Sequence, residues 1–557
     1  MQIIQAILVA TLLAASSAFA ADWGEGVPVP PGGRPNIFGL TENALAQKNS
    51  AGRIHAQIYP VKVTGILPPF EPFRKLAEDD GDNPLQEIFE NIFRGVVGVK
   101  NFDGVLGYVG LHPYPATEER GVYQVPYPTG QRPETRMGFG IVEREGAKGF
   151  TFSCAACHSS NLFGKTVLGL TNRFPRANEF FVNMKPGLSV LDMNVFRLWT
   201  GATDGEMELL EGARTSLGRV AAKKPIALGL DTSLAQVALS LNLREADEWA
   251  TPSHWFETFP REDEYLDEYP ADSKPAVWWN VKYKNRWLSD GSVLSGNPIF
   301  TNIIWNEVGR GADLKELEAW LGANPKVIEE LTTAVFASEA PRYTDFFPAE
   351  SFDLESAKRG EKLFNQSCAR CHGQYDKAWS RPNAQELSPA EKLATVLVRP
   401  PAKTFVVDVG TDPHRRKGMK SLERLNELSI SKKNAILIKA QPGYVPPPLV
   451  GIWARWPYFH NNSVPSLCAV LTASSKRPKK YYSGEANDRE RDFDQQCNGY
   501  PAPGKVPASW KTPEHLYDTK RVGMSNRGHD EGIFLKNGKE IFSPEEKLSI
   551  IRFLQTL

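Results

Sequence analysis

Apolar positions Leu354, Ala357, Gly360 and Leu363/Phe364 recur at helical spacing between Asp353 and Phe364. The stretch is predicted to be a helix with one buried face. Gly360 in that face leaves room for a second helix to cross closely. Near the end of the chain, Ser543-Pro-Glu-Glu546 forms a capping box, and Leu548, Ile551 and Leu554 follow at helical spacing. Ser388-Pro-Ala-Glu391 opens another helix in the same way. Upstream, Asn324-Pro325 reads as the cap and first-turn proline of a helix with the stripe Ile328, Leu331 and Val335, ended by Pro341. Alternating strand patterns are weak throughout. The predicted fold is mainly α, with few strands and extensive loop insertions, the longest from about residue 399 to 535.

The densest aliphatic run is Ile3 to Ala15, and Ala18-Phe19-Ala20 behind it is an A-x-A cleavage pattern. Residues 1–20 are therefore expected to be a signal peptide, with a mature protein starting near Ala21 in a bacterial periplasm or the medium. No later segment approaches ~20 apolar residues, so no membrane span is expected. A chain of 557 residues exceeds what one core usually serves. Two domains are expected, 21–345 and 346–557, joined through Pro341 to Pro348. Residues 21–35, with Val27-Pro-Val-Pro-Pro-Gly-Gly33, are expected to be extended and poorly ordered. Basic and acidic residues balance at 65 each without long blocks of one sign, which argues against a nucleic-acid partner or an anionic membrane surface.

Candidate chemistry is concentrated in two CxxCH motifs, Cys154-Ala-Ala-Cys157-His158 and Cys368-Ala-Arg-Cys371-His372. Each supplies two thiols for thioether bonds to one haem and a histidine for its iron. Two covalently bound haem c groups are expected, one per domain. A zinc site is a poor competitor, because no second cysteine pair lies beside either motif to complete a tetrahedral set. The two remaining cysteines, Cys468 and Cys497, are expected to form a disulfide in an oxidising compartment, worth about 3 kcal/mol by constraint of the unfolded chain.

Function then turns on the sixth iron position, since a protein ligand there makes an electron carrier and an open position admits dioxygen or peroxide. For the second haem the candidates are His414, Tyr458, His460, Met419, Met524 and His529. His529 is favoured because Asn526-Arg-Gly528 is a turn just before the C-terminal helix. For the first haem, His55, His112 and His254 carry no motif around them, and an open site is expected. Trp278 and Trp279, with Trp287 and Leu288 shortly after, are candidates to line its pocket or stand between the haems.

Together with the two CxxCH motifs, Trp456-Pro-Tyr-Phe-His460-Asn-Asn-Ser-Val-Pro-Ser-Leu467 resembles the bacterial di-haem cytochrome c peroxidase and MauG superfamily. Gly410-Thr-Asp-Pro413, Tyr444-Val-Pro-Pro-Pro-Leu-Val-Gly-Ile-Trp453 and Ser525-Asn-Arg-Gly-His529 are most similar to the di-haem rubber oxygenases. The resemblance implies two cytochrome c-like haem domains. In the second, the helix over Asp353 to Phe364 resembles the N-terminal helix of small class I cytochromes c, which crosses a C-terminal helix, here the one after Ser543. The resemblance to the rubber oxygenases implies a dioxygen-binding haem held by His158 and a six-coordinate haem held by His372 and His529. Tyr458 and His460 match family positions that tune or bridge the haems. The implied activity is oxidation or cleavage of carbon–carbon double bonds in an apolar alkene, polyisoprene or an unsaturated lipid, with a cytochrome or cupredoxin as electron donor. The alternatives are a di-haem peroxidase, which would want a glutamate near its open iron, and a non-catalytic electron carrier. One departure from the pattern is Asn462, where the family usually has glycine. The second domain is also shorter than in the rubber enzymes, which bears on the substrate.

Overall fold

A computed structural model describes residues 21–78, 101–244 and 265–557. The expected leader over 1–20 and His254 lie outside them. The described chain is mainly helical. Its strands form six two-stranded antiparallel pairs, none extended into a larger sheet.

In the N-terminal half, α1 (Glu42–Ile58), α2 (Ser233–Asn242), α3 (Pro298–Gly309) and α4 (Pro325–Phe336) form a packed group. Helix α1 crosses α4 at Gly52, where a Cβ would stand 1.9 Å from the Glu330 carbonyl oxygen. The stripe Ile328, Leu331 and Val335 on α4 is buried as expected. Asn324 precedes α4 without a side-chain cap, because its amide turns back to the Trp320 carbonyl at 2.7 Å. The helix also stops at Phe336, before the expected Pro341.

In the C-terminal half, α5 (Leu354–Ser367) crosses α6 (Pro544–Gln555). Gly360 makes the crossing close: a Cβ there would lie 1.9 Å from the Ser549 carbonyl oxygen, and Ser356 and Ser549 share a hydroxyl hydrogen bond beside it. The capping boxes at Ser543/Glu546 and Ser388/Glu391 both form. Between these helices the chain is loop-rich, with short helical turns and strands of two to five residues. Cys468 and Cys497 are joined as a disulfide.

Two expectations are corrected. Residues 21–35 are extended but not loose: Val29 N–H donates to Ala402 O and Gly32 N–H to Val398 O, each at 2.7 Å, and Asn285 holds the Val27 carbonyl. Pro341 to Pro348 is not an exposed tether either. Tyr343, Phe346 and Phe347 are buried, Tyr343 stacks on Phe347 at 4.5 Å, and both meet Trp453 edge-on. Three aromatic rings in eight residues bury too much apolar area to remain in solvent. Tyr343, Phe346 and Phe347, on either side of the exposed Asp345, thus belong to a core shared by both halves, from Leu162 and Trp279 to Trp453 and Ile551. A further seam pairs Val293–Ser295 with Leu437–Ile438.

Candidate functional site

Both CxxCH motifs open onto one internal cavity of about 460 Å³. They reach it by different routes. The first follows the hairpin β1–β2 (Phe139–Arg144, Ala147–Phe152), and a short turn over Cys154–Ala156 then leads into a second hairpin, β3–β4 (Ser159–Leu162, Lys165–Leu168). Asn172 braces that turn, donating to the Ala156 and Gly110 carbonyls at 2.7 Å each. The second motif continues from α5, with Cys368 at the helix end and the His372 N–H returning to the Cys368 carbonyl at 3.0 Å.

The two histidines are oriented by one device. His158 Nδ1 lies 2.8 Å from Ala276 O, and His372 Nδ1 lies 2.8 Å from Pro447 O. A carbonyl can only accept, so Nδ1 carries the proton and Nε2 keeps its lone pair for a metal. Burial lowers both imidazole pKa values, which favours that neutral ligand form. All four motif thiols are unpaired and line the cavity. Burial pushes the Cys368 thiol up to about 12 and the Cys157 thiol well above its usual range, so thiolate ligation of a bare metal is disfavoured. Among the described residues no group of three His, Cys, Asp or Glu side chains is placed to hold a metal ion directly. Neutral thiols beside an oriented imidazole, twice over on one cavity, suit covalent haem.

The structure sorts the candidates for the sixth ligand. His529 lines the cavity, stacked between Phe459 at 5.3 Å and Phe534 at 5.8 Å. Its Nδ1 is buried without a hydrogen-bond partner, and its backbone sits in the left-handed region at φ 63°. Burial pushes its pKa down to about 3, with the nearby His372 adding to the effect. His460 also lines the cavity, stacked on Tyr444 at 4.2 Å with Nε2 unpartnered. It feels Arg415 and Lys274 rather than His372. Tyr458 lines the wall too, but its hydroxyl is engaged by Asn498 and the Ile452 carbonyl. Met524 lies off the cavity, its sulfur accepting from Tyr517 at 3.1 Å, and Met419 is core. His414 is held by Asp412 at 2.8 Å and His55 by Glu330 at 2.9 Å, while His112 is buried off the cavity.

Trp278 and Trp279 do not line the cavity. Trp278 packs 6.0 Å from the His158 ring and against Gly169. Trp279 is fully buried, its indole N–H donating to Val450 O at 2.9 Å. The rings support the His158 loop and the core shared by the two halves. The cavity residues that sequence reasoning missed are Lys274, Lys284, Arg415 and Arg455, together with the Ala276 and Pro447 carbonyls. Backbone carbonyls carry no sequence signal, and isolated cations in loops look like surface charge.

Residues 443–482 match the family model described as RoxA-like, cytochrome c-like. This stretch is similar to RoxA-like cytochromes c. It includes Pro447, which orients His372, and Tyr444, Arg455, Tyr458 and His460 on the cavity wall. Such a segment implies covalent haem c and points to a haem oxidoreductase. Among curated proteins, the chain is similar to the uncharacterized protein y4iM of Sinorhizobium fredii, 26% identical over 38% of this chain and 49% of that protein. It is also similar to the uncharacterized protein y4iJ of the same organism, 34% identical over 22% of this chain and 19% of that protein. The chain thus spans half or less of the curated relatives it matches. Asn462, where the resembling families usually have glycine, sits at φ 61° and donates to Gly229 O at 2.9 Å. Asparagine tolerates that left-handed conformation better than most other residues with a side chain, which accounts for the replacement.

No helix among the described residues is long and apolar enough to cross a membrane.

Proposed function

We propose that the protein is an exported c-type cytochrome with two covalent haems, akin to the di-haem peroxidase and MauG superfamily. It uses dioxygen at the haem held by Cys154, Cys157 and His158 to oxidise or cleave double bonds of an apolar substrate, polyisoprene or an unsaturated lipid. The observation that carries this reading is the shared cavity, with two carbonyl-oriented histidines and a candidate second ligand, His529, near His372. Haem iron supplies dioxygen binding and electron transfer. Cleavage balances without an outside reductant, since one double bond and one dioxygen give two carbonyl groups.

The chain's own contribution differs on the two sides. Near the first motif, Phe152 and Phe181 meet edge-on at 6.2 Å, and Leu234, Val237 and Trp305 join them on the wall. These side chains exclude water and would hold an apolar chain. On this reading no side chain takes the remaining iron position at this haem. Near the second motif, His529 stands ready as a sixth ligand, suiting that haem to electron storage or transfer. Among the described residues no glutamate lines the cavity, and its one carboxylate, Asp231, is engaged by Ser233. That favours an oxygenase over a peroxidase, which needs an acid–base group at the open iron.

The test is oxygen uptake by the purified holoprotein, with catalase present, given polyisoprene latex and then oleate. Uptake with carbonyl or other oxygenated products is expected. Absence of uptake with both, together with rapid peroxide consumption in the presence of a reduced cytochrome and without catalase, would move the protein to the peroxidases.

A further inference from the structure

The cavity wall between the two motifs carries an excess of positive charge. Lys274, Lys284, Arg415 and Arg455 all line it. Arg415 is matched by Asp290 at 3.2 Å. No ion-pair partner is found for the other three among the described residues. Lys274 at least donates to the Arg455 and Pro457 carbonyls, at 3.1 and 2.6 Å. Arg455 donates from Nη1 to Pro448 O at 3.0 Å, but its Nε is buried with no acceptor. The Lys284 ammonium has no hydrogen-bond partner at all among the described residues.

Unpaired cations facing an enclosed space are costly unless an anion joins them. Burial, with Arg455 adding to it and Asp290 opposing it from beyond ion-pair distance, pushes the Lys284 ammonium down to about 8. A carboxylate beside it would restore the charged form. The position of the pair narrows the choice of anion. Pro446-Pro447-Pro448 is one stiff run: its Pro447 carbonyl orients His372, and its Pro448 carbonyl holds Arg455 and Asn280. Lys284 borders a small recess with His372, Pro446 and Pro448. The proline run therefore orients His372, holds Arg455 and borders Lys284.

We propose that Lys284 and Arg455 form a carboxylate-binding wall that grips the propionates of the haem attached at Cys368 and Cys371, with Lys274 at its edge. This rests on the reading that haem occupies the cavity. Each haem carries a pair of propionate carboxylates, and an arginine fork with an ammonium is a strong receptor for them. The cations also set the electrostatics of the iron, because positive charge nearby disfavours the more positive ferric state. The same chemistry would suit the carboxylate of an unsaturated fatty acid, so the experiment must separate the two sources.

The experiment compares holoprotein variants Lys284→Gln, Arg455→Gln and Arg455→Lys with the parent. It measures haem content, redox midpoints and the propionate bending band in resonance Raman spectra. Both glutamine variants are expected to move the midpoint of the low-spin haem to more negative potential and to shift the propionate band. Arg455→Lys, which keeps the charge, should recover most of the midpoint and would show that any loss in Arg455→Gln is not misfolding. A midpoint change with an unmoved propionate band would mean a cation acting through its field alone, and would overturn the assignment. Unchanged midpoints and bands with a raised KM for oleate, but not for latex, would assign the cations to substrate instead and overturn it as well. A parent protein that holds no haem at Cys368 and Cys371 would overturn the functional reading itself. The parent's haem content thus separates that failure from failure of the propionate assignment.

Discussion

The Cys368 motif hangs from a helix locked into a close crossing, with His529 across the cavity from it. The Cys154 motif follows a hairpin and is braced by an asparagine and a tryptophan-backed loop. Both histidines are aimed in the same manner, through Nδ1 to a backbone carbonyl. What differs is what each haem would find on its other side. The second neighbourhood offers an unpartnered imidazole between two phenyl rings. The first offers phenylalanines, aliphatic side chains and a tryptophan. The proposed function assigns the iron-saturating role to the second neighbourhood and the open role to the first.

The most severe way to break the comparison is at the helix crossings. Gly360→Val puts a branched side chain where even a Cβ would be 1.9 Å from the Ser549 carbonyl oxygen. Backbone on both sides cannot yield, so a loss of more than about 4 kcal/mol is expected. Covalent haem at the second motif should fail, read as a loss of haem per protein and of soluble yield. Next in size, His158→Ala should reduce oxygen uptake by at least about 100-fold, the scale of a lost central catalytic group, while the low-spin spectrum persists. Activity that survives this change would reverse the roles of the two sites. His529→Ala should convert one haem from low-spin to high-spin, whereas Met524→Leu should leave the spectrum unchanged because its sulfur is committed to Tyr517. If Met524→Leu alone alters the spectrum, the second site is not the one described above.

The same contrast explains what was legible in the sequence. The helices α5 and α6 could be read in advance because helical spacing, a glycine in a buried face and a capping box are local signals that agree, and their crossing because α5 resembles the first helix of small class I cytochromes c. The CxxCH residues were legible because their chemistry demands fixed spacing. The first motif's surroundings were not, since they are assembled from segments more than a hundred residues apart, as with His158 and Ala276. Trp278 and Trp279 show the limit of composition: an aromatic pair announces burial but not which surface it covers, and here it packs behind the histidine and in the core. The stretch around Tyr343 looked like a linker because of its prolines, yet its aromatic rings decided its position. The cations of the cavity wall were illegible for a related reason, since nothing in the sequence distinguishes a lysine facing a cofactor from one facing water.

The mildest test acts on one side only. Asp272 is buried in the irregular segment that leads through Ser273 to Ala276, the carbonyl that aims His158. Its carboxylate accepts from the Ile226 N–H at 2.8 Å, but burial wins and raises its pKa to about 6 from an ordinary 3.8. The folded state therefore binds this proton more tightly than the unfolded chain does. The associated stability is fully present below about pH 4 and is lost as pH rises through about 6. Two pKa units correspond to at most about 3 kcal/mol. Asp272→Asn keeps an acceptor for Ile226 and removes the titration. The variant should match the parent's melting midpoint near pH 4 and exceed it at pH 7.5. If the difference belongs to the first neighbourhood, hydrogen exchange around residues 226–232 and 272–276 should slow in the variant at pH 7.5, while exchange across α5 and α6 stays the same. Equal protection changes at both motifs would mean that the shared core transmits the strain, and that the two sites are less independent than their construction indicates.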